Sequence, residues 1–141
     1  MKKNIKKSFI LSATTGLLIV LWLYAALTKL IDYPHFIATL QHSPLLDQLA
    51  IQIGWTLLTV EIGFVILLLV PKLQAWGLYG SAILLLLFSA YILYMLLYAA
   101  HLPCSCGGVI QKLSWKQHLI FNGAFLLISV LGIRSLKAVH R

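Results

Sequence analysis

Four unbroken apolar stretches leave this chain few folds to choose from. They run from Phe9 to Ile31, Leu49 to Val70, Ala75 to Ala100 and Trp115 to Gly132. Crossing the hydrocarbon core of a bilayer takes about 20 helical residues, so each can span it. Lipid offers no partner to a bare peptide group, so a span is a helix or part of a closed barrel. Barrel strands alternate apolar and polar residues, and these stretches do not. Composition agrees: 61% of residues are hydrophobic and 10% charged, where a soluble domain carries about 25% charged residues. The expected fold is all-α, a four-transmembrane-helix bundle forming a single membrane domain over residues 1–141, with outer loops 32–48 and 101–114.

The net charge of +8 does not signal nucleic acid, because no basic stripe is interleaved with aromatics on a polar face. The cations flank the apolar stretches instead, and their asymmetry sets an orientation. With the N-terminus inside, Lys2, Lys3, Lys6, Lys7, Lys72, Arg134, Lys137 and Arg141 share the inner side, and Lys29, Lys112 and Lys116 the outer side. Cytoplasmic loops carry the excess of Lys and Arg, so both termini are expected in the cytoplasm. The chain is then a multi-pass protein of the inner (cytoplasmic) membrane, with lipid as its first partner. The lysines before Phe9 resemble the basic start of a secretory signal. The apolar stretch after them exceeds the 7–15 residues of such a signal, so it reads as the first span.

Pro71-Lys72-Leu73-Gln74 is a tight turn that makes the second and third spans antiparallel neighbours. The 32–48 connection, with Pro34 and Pro44, reads as a cap carrying a short helix near Phe36 to Leu40 on the membrane surface. Ser114 is placed to cap the fourth span, with Trp115 at the interface.

The chain's two cysteines, Cys104 and Cys106, lie on the third connection between Pro103 and Gly107-Gly108. In the expected orientation this loop faces the periplasm or an equivalent oxidising space, where disulfides persist. Pro103 disfavours helix at Leu102 and so ends the third span. Gly107 and Gly108 let backbone N–H groups approach sulfur and favour the thiolate, the reactive form. A disulfide across one intervening residue closes a small, constrained ring, and constrained disulfides are the labile ones. Such a ring crosslinks almost nothing, which weakens a purely structural reading. A third reading lets both thiolates hold Cu(I) with His101 or His118.

Other polar residues stand out against the apolar background. Glu61 falls near the middle of the second span, where an ionisable group suggests function by default. Its plain reading is a neutral carboxyl bonded to a neighbouring helix, for which Glu61→Gln would be harmless. Gly54, on the same face, leaves room for a close neighbour. His118 and Asn122 share one face of the fourth span, four residues apart, at the depth of Thr56, Ser89, Tyr91, Tyr24 and Thr28. They form either a pocket beneath the cysteine loop or a set of mutually satisfied hydrogen bonds. Lys29 and Asp32, three residues apart, can pair; the preferred reading is a lysine snorkelling to the surface with Asp32 as an adjacent cap. Gly77 and Ser81 read as a packing face.

Taken together, Thr28-Lys29-Leu30, Gly54-Trp55 with Glu61, Pro103-Cys104-Ser105-Cys106-Gly107-Gly108, and Ser114-Trp115 with His118 and Asn122 resemble the MauE-like and DoxX-like group of small membrane proteins. The likeness covers nearly the whole chain. It implies a four-helix fold and periplasmic thiol redox work, which in MauE is tied to disulfide formation during methylamine dehydrogenase maturation. It also implies a quinone as cofactor, as in DsbB and vitamin K epoxide reductase. Those enzymes carry C-x-x-C and a second cysteine pair. This chain has one pair, so any relay cysteines must come from a partner. The expected function is thiol–disulfide exchange through Cys104 and Cys106 with a periplasmic protein, supported by His118, Asn122, Glu61, Gly107 and Gly108. The alternatives are a membrane scaffold with structural cysteines and a Cu(I)-handling protein.

Overall fold

Each apolar stretch becomes a long helix in the structure, a computed structural model that describes residues 2–43, 45–98 and 114–139. Helix α1 spans Lys2–Ile31 and turns at Asp32 into the short helix α2, Tyr33–Gln41. Pro34 sits in the first turn of α2, where a missing N–H costs nothing. A 3-10 turn at Asp47–Leu49 leads into α3, Ala50–Leu69. Pro71 follows its end, and the reversal is closed by Leu73 N–H donating to Val70 O at 2.9 Å. Helix α4 spans Gln74–Tyr98 and α5 spans Trp115–Val139. Ser114 caps α5 reciprocally: its Oγ accepts from Gln117 N–H at 3.3 Å, and its own N–H donates to Gln117 Oε1 at 2.9 Å. That is the capping box expected of S-x-x-Q.

The long helices pack in a ring, α1 on α3, α3 on α4, α4 on α5 and α5 on α1. Neighbours are antiparallel, so α1 and α4 run parallel across the diagonal. Two hydrogen bonds fix their register: Gln74 Nε2 to Thr15 Oγ1 at 3.2 Å, and Trp22 Nε1 to Ser81 Oγ at 2.8 Å. The same offset of one heptad on each helix links the two bonds, as parallel helices require. Leu18, Trp22, Leu68, Leu78 and Leu85 fill the space between the helices. Large apolar side chains such as Val20, Ile66, Leu86 and Leu127 point outward and stay exposed, as suits a bundle whose solvent is lipid.

Two details differ from expectation. Helix α5 continues beyond Gly132 to Val139. Gly132 is a point of close approach, since a Cβ there would lie 2.8 Å from Leu78 Cδ2 and 3.0 Å from Thr14 Oγ1. Polarity after Gly132 marks where the helix leaves the core, not where it stops. Helix α2 does not lie free on a surface: Phe36 and Leu40 are buried with Ala50 of α3. Gly54 lies beneath this contact, and a Cβ there would come within 2.5 Å of Ile37 Cδ1, the tip of a side chain that would have to turn aside.

Gly77 and Ser81 do form a packing face, though they serve different partners. Ser81 takes the Trp22 hydrogen bond, and Gly77 admits Leu68 of α3. A Cβ at Gly77 would meet Leu68 Cγ at 2.8 Å and the Leu68 backbone nitrogen at 3.1 Å. Backbone cannot step aside, so Gly77→Ala should destabilise the bundle by about 1–3 kcal/mol. Gly16→Ala, where nothing lies within 4 Å, should be neutral or slightly stabilising. Unfolding midpoints of the two variants in detergent micelles check the difference.

Candidate functional site: a buried ion pair beside an apolar cavity

The charged residue that α3 carries, Glu61, is fully buried and pairs with Lys29 of α1, Nζ to Oε1 at 2.7 Å. Lys29 does not snorkel outward, nor does it turn to Asp32. Its side chain folds back one turn along α1, toward the helix N-terminus as helical side chains do. There the ammonium also donates to Ala25 O at 3.3 Å and lies 5.6 Å from the centre of the Phe36 ring. Asp32 makes no side-chain capping bond to α2. The pair therefore sits level with Ala25, ten residues along α1 from Thr15. At 1.5 Å per residue that is about 15 Å above the Thr15–Gln74 contact, well inside the first apolar span.

Two isolated charges at that depth would be prohibitive, and a close pair lowers the cost. Glu61 is bonded to a neighbouring helix, as its plain reading expects, but the partner is an ammonium and not a neutral donor. This removes the reason for thinking Glu61→Gln harmless, since that change would leave Lys29 without its counter-ion. The sequence does carry a signal of this pairing. Lys29 is the sole charged residue of α1 after Lys7, and Glu61 the sole one of α3, with opposite signs.

Next to the pair lies a cavity of about 360 Å³, between α1, α3, α4 and α5 with α2 at one side. Its wall is mostly apolar and aromatic, including Trp22, Phe36, Phe88 and Phe121. Lys29, Glu61, His118 and Asn122 all face it. Thus three residues singled out from sequence, on two helices that are diagonal in the ring, converge on one space. Glu61 Oε2 and Asn122 Nδ2 are buried there with no hydrogen-bond partner among the described residues. Tyr91 also lines the cavity and bonds through its hydroxyl to Ser43 Oγ. That contact ties α4 to the connection after α2.

The other polar residues expected in the pocket mostly serve their own helices. Thr56 Oγ1 donates to Gln52 O at 2.7 Å and is exposed, and Ser89 Oγ donates to Leu85 O at 2.8 Å. Thr28 lines the cavity while donating to Ala25 O at 3.1 Å. Cys104, Cys106, Gly107 and Gly108 lie outside the described residues. The segment that carries them joins Tyr98 to Ser114, and Trp115, the first residue of α5, lines the cavity. Among the described residues no three His, Cys, Asp or Glu side chains gather as a metal site would need.

A double-mutant cycle tests the pair. Lys29→Met alone or Glu61→Leu alone should cost about 3–5 kcal/mol, because each leaves an uncompensated charge in the bundle. The double variant should recover most of that loss. Unfolding free energies in micelles of one composition give the four corners of the cycle.

Residues 7–135 match the family model described as methylamine utilisation protein MauE. No curated protein and no solved structure matches the chain. The family match begins just before the first apolar stretch and ends within α5, four residues short of Val139, and it takes in the ion pair, the residues that line the cavity and the cysteine segment. Four helices long and apolar enough to cross a membrane lie within or across its bounds. This multi-pass membrane protein therefore belongs to the MauE family.

Proposed function

We propose that the protein exchanges thiols and disulfides with a periplasmic partner through Cys104 and Cys106, from a position in the inner membrane with both termini in the cytoplasm. The observation that carries this reading is the C-x-C pair itself. It stands on the segment joining α4 to α5, two helices that both line an apolar cavity. A disulfide spanning one residue gains little from loop closure and is strained by its small ring, and both features suit a pair that is repeatedly opened. Family membership is in keeping with such work.

In the forward direction a thiolate of the partner attacks one sulfur of the Cys104–Cys106 disulfide and forms a mixed disulfide. The partner's second thiolate resolves it. The partner leaves as a disulfide, and Cys104 and Cys106 are left as two thiols. Two electrons have entered the chain with two protons. A membrane-soluble quinone is the acceptor proposed to restore the disulfide, taking the two electrons and two protons to become quinol. With one cysteine pair in the chain, no internal relay is possible.

Removing the resolving cysteine should trap the partner. Cys106 is assigned as the attacking residue in the reverse reaction, because the adjacent Gly107 and Gly108 amides favour its thiolate. Cys104→Ser should then accumulate a higher-mass species on a non-reducing gel that reductant abolishes, and Cys106→Ser should not. The double variant should unfold within about 1 kcal/mol of the parent. Failure of both single variants to trap a partner, together with an unstable double variant, would make the pair structural.

A further inference from the structure

We infer that the cavity beside the Lys29–Glu61 pair binds the ring of a lipid-soluble quinol or quinone, with Glu61 Oε2 and Asn122 Nδ2 as its hydrogen-bonding groups. The inference rests on the proposed thiol exchange for its choice of a redox-active ring. It rests on the geometry for the location and the contacts.

Four features of the cavity converge on that class of ligand. Its volume, about 360 Å³, lies at the lower end of the range for small-molecule sites. Aromatic side chains from α1, α2, α4 and α5 line it, namely Trp22, Phe36, Phe88 and Phe121, and they offer faces and edges to a flat ring. Leu87 lines it as well and is 59% exposed, so its rim meets the surface that faces lipid. Finally, two polar atoms there lack partners among the described residues, and they are complementary. Glu61, 0% exposed, holds an acceptor, and Asn122, 4% exposed, holds a donor, in residues that line the cavity. Native proteins seldom leave buried polar atoms unpaired, and such atoms call for a water, an ion or a ligand.

Charge narrows the choice further. Lys29 and Glu61 neutralise each other, so an ionic ligand would enter the membrane interior without a counter-charge. A neutral molecule with a hydroxyl for Glu61 and a second oxygen for Asn122 satisfies both atoms. A quinol has both. A quinone has only acceptors, which suit Asn122 and leave Glu61 Oε2 unmatched. The site should therefore prefer the reduced ring, and replacing Glu61 by an amide should reverse that preference, because an amide N–H donates to a carbonyl.

The test uses the Cys104→Ser/Cys106→Ser double variant of the full chain in lipid nanodiscs, so that no thiol chemistry intervenes. The exposed Trp55 and Trp76 are replaced by Phe in this background, decylubiquinol and decylubiquinone are titrated separately, and binding is read from quenching of the fluorescence of Trp22 and Trp115, which line the cavity. Saturable binding with the quinol favoured is expected. Asn122→Leu, which keeps the ion pair, should weaken both ligands about tenfold. Ala25→Leu, which adds bulk at the cavity wall, should abolish saturable binding while the unfolding midpoint is kept. Glu61→Gln, in preparations that remain folded, should turn the preference toward the quinone. Binding that is unsaturable, or that neither Asn122→Leu nor Ala25→Leu alters, would overturn the inference and leave the cavity to water or lipid. Partner trapping by the single cysteine variants is read independently. Trapping without ring binding sinks the site and keeps the exchange, and ring binding without trapping does the reverse.

Discussion

A lysine and a glutamate held 2.7 Å apart in the middle of an otherwise apolar bundle set the terms for much of this structure. Neither charge is tolerable alone at that depth. Helices α1 and α3 must therefore keep the register that brings Lys29 to Glu61. The Trp22–Ser81 and Thr15–Gln74 bonds then hold α4 against α1 across the diagonal below the pair. Above it, among the described residues, the cavity lies between the helices. The described part of the bundle is thus tightly packed at one end and hollow toward the other.

The hollow end is also where the chain is most elaborate. Helix α2 folds over α3 there, seated on Gly54, and its Phe36 ring touches both the ammonium of Lys29 and the cavity. Ser43 reaches Tyr91 of α4. The cysteine segment joins α4 to α5 at the same end. In the proposed exchange a water-facing sulfur pair and a lipid-facing acceptor must lie near one another. The cavity runs from Trp115 to the ion pair, with Leu87 at its rim.

Most of the architecture was legible in the sequence, because lipid imposes a simple rule: about 20 apolar residues make a span. The helices, the tight turn at Pro71 and the Ser114 cap all follow from local chemistry. Helical spacing put His118 and Asn122 on one face; that Glu61 borders the same pocket is decided by packing between helices and shows only in the structure. The elements that differ from expectation have one cause. On its own helix Lys29 has the snorkelling habit of a lysine near a membrane surface, and its partner lies 32 residues away. The seating of α2 on α3 and the extension of α5 are likewise decided by contacts between helices, for which Gly54 and Gly132 were the available clues.

Exchange through Cys104 and Cys106 is the central claim, and the reduction potential of that pair in the native membrane tests it most directly. Membranes equilibrated in graded glutathione buffers, then quenched with a mass-tagging alkylating reagent, report the fraction of reduced pair at each potential. A pair that cycles should show one two-electron transition at a potential above about −300 mV, the level below which structural disulfides resist the glutathione pool. A pair that stays oxidised across every buffer, or is never found as a disulfide, would contradict the account.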